Sequence, residues 1–248
     1  MSLEPDLLGA FEEHLPEEIR RLLAAGASAT SPIHGKTPIE CFIEGYLRSS
    51  RFVECLQVLL DAGGSIEDPL VKTVLLDDEK AVRSLVSDGH DLKRQIRVPS
   101  AFTSCDGVTA LHVCAEYNSV NAARVLIEAG ADVNAPAATD GNAFGGQTPI
   151  FHAVNSILNY CRPMMELLID AGAELDVNVK GLIWGEGADW ETLVLDVTPI
   201  SYAQCGLYAQ FHRPERDVYD NLGYLYQKRY GATLPIHNVP NRYLAPRR

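Results

Sequence analysis

The chain has 248 residues, 46% of them hydrophobic and 22% charged, which excludes a disordered chain and fits a folded, soluble one. Its formal net charge is -12. That balance disfavours duplex nucleic acid as the principal partner, because phosphate binding needs clustered Lys and Arg.

Taken from the N-terminus, one phrase keeps returning. Pro16-Glu17-Glu18 opens a helix that runs to Arg21-Leu22-Leu23-Ala24-Ala25-Gly26-Ala27. The same apolar stripe and glycine stop recur at Val58-Leu59-Leu60-Asp61-Ala62-Gly63 and at Ser84-Leu85-Val86-Ser87-Asp88-Gly89. They return at Val125-Leu126-Ile127-Glu128-Ala129-Gly130 and at Leu167-Leu168-Ile169-Asp170-Ala171-Gly172, with a worn copy ending at Gly231. A glycine in the left-handed conformation ends a helix and lets its last carbonyls find partners, so each phrase predicts the end of an outer helix.

A second phrase lies between these stops: Thr37-Pro38-Ile39-Glu40, Thr109-Ala110-Leu111-His112, Thr148-Pro149-Ile150-Phe151 and Thr198-Pro199-Ile200-Ser201. Threonine caps helix N-termini and proline suits the first helical position, so these predict the starts of inner helices. Glu40 stands at the capping-box spacing from Thr37. In the third copy Asp68-Pro69-Leu70 replaces the threonine opening.

The alternation resembles the ankyrin repeat, whose signature includes Thr-Pro-Leu-His-x-Ala before two helices. The best copy is Asp106-Gly107-Val108-Thr109-Ala110-Leu111-His112-Val113-Cys114-Ala115, continued to Asp132-Val133-Asn134, with Ala110 where proline is usual. The resemblance implies an all-α solenoid of about six helix-turn-helix units with hairpin-like finger loops. The units fall at about 3–30, 31–66, 67–92, 106–134, 146–178 and 196–232, a single array over 1–232, followed by an extended tail over 233–248. The glycine stops are spaced unevenly against a family period of about 33 residues. The excess falls at 93–105, 135–145 and 179–195, where fingers belong, and at 46–51 between two helices.

Chemistry-bearing residues are few. His112 takes the family's histidine position, where the resemblance implies a hydrogen bond to threonine or backbone that ties neighbouring units. His152 is displaced by one position, because Phe151 fills the histidine slot. Cys205 and His212 are too far apart for a nucleophile–base pair, roughly 10 Å on a continuous helix. The glycine-rich run 141–146 lacks the lysine of a phosphate loop and reads as a finger. The six cysteines form no Cys-x-x-Cys pair and sit in apolar stretches. No metal, cofactor or catalytic residue is expected. Asn134 stands where some animal ankyrin proteins are hydroxylated, and a structural role in the turn serves equally.

Met1 to Ala10 is acidic and lacks a signal-peptide pattern, and no apolar run is long enough to span a bilayer. A cytoplasmic monomer without a membrane partner is expected. The resemblance implies a non-catalytic scaffold that binds a protein through its concave inner-helix face and finger loops. The alternative is an enzyme or small-molecule binder built on the same scaffold. The contact residues expected on the scaffold reading are Glu116, Tyr117, Asn118, Asn155, Asn159, Gln204 and Tyr208 from the inner helices, with Phe144, Trp184 and Trp190 from the fingers. Both tryptophans sit in the 179–195 insertion, which forms either an exposed hot spot or a flap folded back on the last units.

Overall fold

The computed structural model describes residues 3–234. The first two helix pairs are α1 (Glu4–Glu12) with α2 (Pro16–Ala24), and α3 (Pro38–Glu44) with α4 (Phe52–Asp61). Next come α5 (Pro69–Leu75) with α6 (Glu79–Ser87), and, after strands β1 (Ile96–Arg97) and β2 (Asp106–Val108), α7 (Ala110–Tyr117) with α8 (Val120–Glu128). Then α9 (Pro149–Ala153) pairs with α10 (Arg162–Asp170). Strands β3 (Val179–Trp184) and β4 (Thr192–Val197) precede the last pair, α11 (Pro199–Gln204) with α12 (Glu215–Tyr230). The ankyrin fold is thus present, with helix pairs repeated along the chain and short hairpins between them. No described helix is long and apolar enough to cross a membrane. The expected tail over 233–248 lies outside the described residues apart from its first two.

Local chemistry explains the pairs. Thr37 accepts from the Glu40 backbone N–H at 3.2 Å while the Glu40 carboxylate accepts from the Thr37 N–H at 2.7 Å, a closed capping box. Asp68 does the work of the missing threonine and accepts from the Leu70 and Val71 N–H groups. At the other end, Gly130 has φ 89° and the following Ala131 N–H returns to the Leu126 carbonyl at 2.9 Å. A residue with a Cβ would be strained there.

The pairs stack because none can bury its apolar stripe alone. Inner helices α5, α7, α9 and α11 lie in a row, and outer helices α6, α8 and α10 lie behind them. His112 ties two units: its Nδ1 accepts from the Thr109 N–H at 3.1 Å, and its Nε2 donates to the Gln147 carbonyl at 3.0 Å. Burial, and then the nearby His152, lower its pKa to about 3, so it is held neutral for this tie. Asn134 ties the next pair, donating to the Gly172 carbonyl and accepting from the Glu174 N–H.

The fingers join edge to edge. Ala138 N–H donates to the Gly107 carbonyl at 2.8 Å, and Gly145 N–H donates to the Gly181 carbonyl at 2.8 Å. β3 and β4 pair antiparallel, with Ile183 opposite Leu193 and Gly181 opposite Leu195. Alternation along the strands turns Leu182 and Trp184 to the interior and leaves Leu193 and Leu195 outside.

Candidate functional site

The inserted segments converge on the inner-helix row. The 46–51 insertion carries Arg48 over α7, where its Nε and Nη2 donate to Glu116 Oε1 at 3.2 and 2.9 Å. Its Nη1 donates to the carbonyls of Gly45 and Leu47. The 93–105 insertion supplies Phe102, Thr103 and Cys105, all buried. The 179–195 insertion brings Trp184 down onto Phe211, stacked at 4.0 Å, and Gly185 N–H donates to the Phe102 carbonyl. Thr103 Oγ1 and the Tyr202 hydroxyl lie 2.8 Å apart beneath it.

Three of the expected contact residues are therefore corrected. Glu116 and Tyr117 are each only 4% exposed, because Arg48 covers them: it pairs with Glu116 and lies 4.4 Å over the Tyr117 ring. The Tyr117 hydroxyl is within hydrogen-bond reach of the Ile43 and Pro99 carbonyls. Trp184 is 1% exposed, so the flap is folded back and its tip residue is core. Trp190 is half-buried, tilted against Trp184 at 4.6 Å and edge-on to Tyr46.

The remaining candidates keep some surface. Asn118 caps α7 in the left-handed conformation with φ 58°, and Asn159 has φ 56° in the short turn before α10. Asn155 donates to the Tyr202 carbonyl, and its own carbonyl accepts from Arg213 Nε at 2.8 Å. Gln204 is half-buried, whereas Tyr208 is exposed beside Phe211. Phe144 is half-buried on the outer side of the fingers, with Lys180 Nζ 5.6 Å from its ring centre. Cys205 is buried with its Sγ on the Ser201 carbonyl, and His212 is exposed at φ 51°; no bond between them is formed among the described residues.

Sequence reasoning missed one cluster. His152 Nδ1 lies 3.0 Å from Glu116 Oε2 and 3.9 Å from Cys105 Sγ, with all three side chains buried. Burial pushes the Cys105 thiol well above its ordinary range. A cavity of ≈ 10 Å³, lined by Arg48, Glu116, His152, Asn155 and Trp184 among others, adjoins it. That is room for about one water molecule and for no substrate. The signal available in the sequence was slight: a charged residue, Glu116, inside a helix 110–117 that is apolar but for the motif His112, opposite segments longer than the repeat requires.

A second feature lies on the outer side of the fingers. A groove of ≈ 210 Å³ has Phe144, Leu182 and Ile183 in its wall and Asp106, Asp140 and Glu186 around it. Leu193 and Leu195 are 48% and 57% exposed on the same sheet.

The family model for ankyrin repeats (3 copies) matches residues 48–137 and 70–181, more than half of the chain. The B-cell lymphoma 3 protein homolog of Mus musculus is 30% identical over 167 residues, covering 66% of this chain and 28% of that protein. The chain thus spans under a third of the length of this curated relative. A crystal structure of the ankyrin repeat domain of Bcl-3, described as a unique member of the IkappaB protein family, aligns at TM-score 0.38 and 22% identity. That alignment covers 87% of this chain and 80% of the other. With the repeated helix pairs, the His112 tie and the family match in agreement, the chain belongs to the ankyrin-repeat family.

Proposed function

We propose that this chain is a non-catalytic scaffold that captures a partner protein on the outward face of its finger sheet. The observation that carries the reading is the exposed apolar face of the β3–β4 hairpin. Leu193 and Leu195 stand on one side of β4, and Ile183 sits opposite Leu193 in register. Phe144 and Leu195 meet over Gly181, where an added Cβ would lie 2.7 Å from Phe144 and 3.3 Å from Leu195. A contiguous apolar face rimmed by charge is the usual mark of a binding surface. The rim here carries Asp106, Asp140 and Glu186 against Lys180 beside Phe144, so the fitting partner presents an apolar anchor among mainly basic residues.

The inner-helix row serves this reading as a rigid support, since its centre is filled by Arg48 and Trp184. The small size of the cavity beside His152 and Glu116 supports a role without a bound substrate. The six unpaired thiols fit a reducing compartment, and the scaffold works as a cytoplasmic monomer on this reading.

The test is affinity capture from the cells of origin with the intact chain and with a Leu193→Glu/Leu195→Glu double variant. Both positions are exposed, so far-UV circular dichroism and melting temperature stay unchanged, and the captured partner falls at least about tenfold. Capture that is the same for both chains removes the finger face from the proposal.

A further inference from the structure

Three side chains of metal-ligating type meet from three separate elements. Cys105 comes from the loop before β2, Glu116 from α7 and His152 from α9, and one ligand atom of each lies within 4.8 Å of the others. His152 Nδ1 is the atom that the other two share. His152 Nδ1 faces Glu116 Oε2 at 3.0 Å and Cys105 Sγ at 3.9 Å. A ring nitrogen carries one proton or one lone pair. With the proton, it serves Glu116, and the Cys105 thiol keeps its hydrogen bond to Ser100. With the lone pair, it accepts from the thiol and confronts the carboxylate oxygen lone pair to lone pair. Neither tautomer bonds Glu116 and Cys105 through the one nitrogen at once, whereas a cation between the three atoms engages all of them.

The donor set narrows the cation. Thiolate, imidazole and carboxylate together suit Zn(II), which tolerates sulfur, nitrogen and oxygen in one tetrahedron. Bonds of about 2.0–2.3 Å give tetrahedral edges of roughly 3.3–3.6 Å; the two separations from His152, 3.0 and 3.9 Å, bracket them, and that between Cys105 and Glu116 is within 4.8 Å.

A second, independent observation concerns the other side of the ring. His152 Nε2 is buried and has no hydrogen-bond partner among the described residues, and His152 lines the one-water cavity. When Nδ1 ligates a metal the ring proton sits on Nε2, where it can donate to that water. Such an outer hydrogen bond fixes the tautomer of a ligating histidine. Arg48 holds Glu116 by Oε1, which orients the carboxylate and leaves Oε2 for the metal.

We propose that Cys105, Glu116 and His152 bind one Zn(II) ion as a structural clasp between the 93–105 insertion and the inner helices. On binding, the Cys105 S–H bond breaks, the sulfur pair forms the S–Zn bond and the proton leaves to solvent. The site has no room for a substrate, so its consequence is stability of the array.

The experiment uses the full chain, purified reduced and stripped with a chelator, then titrated with Co(II) as the probe. One equivalent should give visible tetrahedral d–d bands and a near-ultraviolet thiolate-to-cobalt charge-transfer band, both displaced by Zn(II). Cys105→Ser changes one atom, and its folding is checked by far-UV circular dichroism. It should lose the charge-transfer band and bind Zn(II) at least about tenfold more weakly. Cys41→Ser, at the partly exposed thiol, should bind as the parent does. Zn(II) should raise the melting temperature of the parent but not of Cys105→Ser, a readout that does not need the spectrum. Absence of a one-equivalent Co(II) signal in the parent overturns the proposal. So does a signal that survives Cys105→Ser or disappears in Cys41→Ser.

Discussion

Arg48 and Glu116 stand 68 positions apart in the chain, yet their side chains meet at 2.9 Å where only 2% and 4% of each remain exposed. The pair joins the loop after α3 to α7, across the intervening third helix pair. Taking two charges out of water costs several kcal/mol per ion, and the pair survives because its atoms are so fully used. Arg48 spends its guanidinium on Glu116 and on two carbonyls of its own loop, and lies over the rings of Phe102 and Tyr117.

Removing one partner is therefore worse than removing both. Arg48→Met strips the guanidinium from the buried Glu116 carboxylate, leaving it the His152 ring nitrogen at 3.0 Å, and should cost about 3–5 kcal/mol in urea unfolding. The double variant Arg48→Met/Glu116→Gln should recover most of that loss, because no bare charge is left behind. A single variant that costs under about 1 kcal/mol would mean that water reaches the site and screens it.

Acid should weaken the fold well before the carboxylates titrate. Burial, and then the Arg48 charge, lower His14 to about 4, and burial lowers His112 to about 3, both from an ordinary 6.5. Each is neutral in the native state, so the unfolded chain binds more protons once the pH drops below 6.5. The stabilisation is complete above that value. It is lost as the pH falls towards 4 for His14 and towards 3 for His112. Each site contributes a slope of about 1.4 kcal/mol per pH unit inside its window. Urea midpoints should hold level from pH 7.5 to 6.5 and fall between 6.5 and 4.5, and His14→Gln should reduce that slope by roughly half. A slope indifferent to that substitution would place the protons elsewhere.

What the sequence disclosed and what it hid follow from the range of the interactions. Thr37 with Glu40, and Leu126 with Ala131 around Gly130, act within a few residues, so the starts and stops of the helices could be read directly. His112 could be placed because the family motif carries it. The centre of the inner-helix row could not, because Arg48, Cys105, Glu116 and His152 come from four segments with no short spacing between them. The irregular intervals between glycine stops were the visible trace of it. Segments read as spare length in the fingers instead fill the concavity, and this is why Glu116 and Tyr117, polar at their tips, are covered.

Trp184 tests that reversal most directly. Before the fold is known, an exposed tryptophan at a hairpin tip could be removed without harm to stability. In the fold its ring stacks on Phe211 at 4.0 Å, lies 5.9 Å from Phe102, and faces the guanidinium of Arg213 at 6.0 Å. Trp184→Ala should therefore cost about 3–5 kcal/mol through the cavity it leaves, while Trp190→Ala, at the half-buried ring, should cost less. Gly185→Ala attacks the same contact from the backbone. An added Cβ would come within 1.8 Å of the Trp190 ring, and the residue sits at φ 70°, where a side chain is strained. Its expected signature is a red-shifted tryptophan emission and loss of amide protection across β3 and β4, with α1 to α8 still protected. Unaltered emission together with full stability in Trp184→Ala would mean that the flap stands away from the helices in solution.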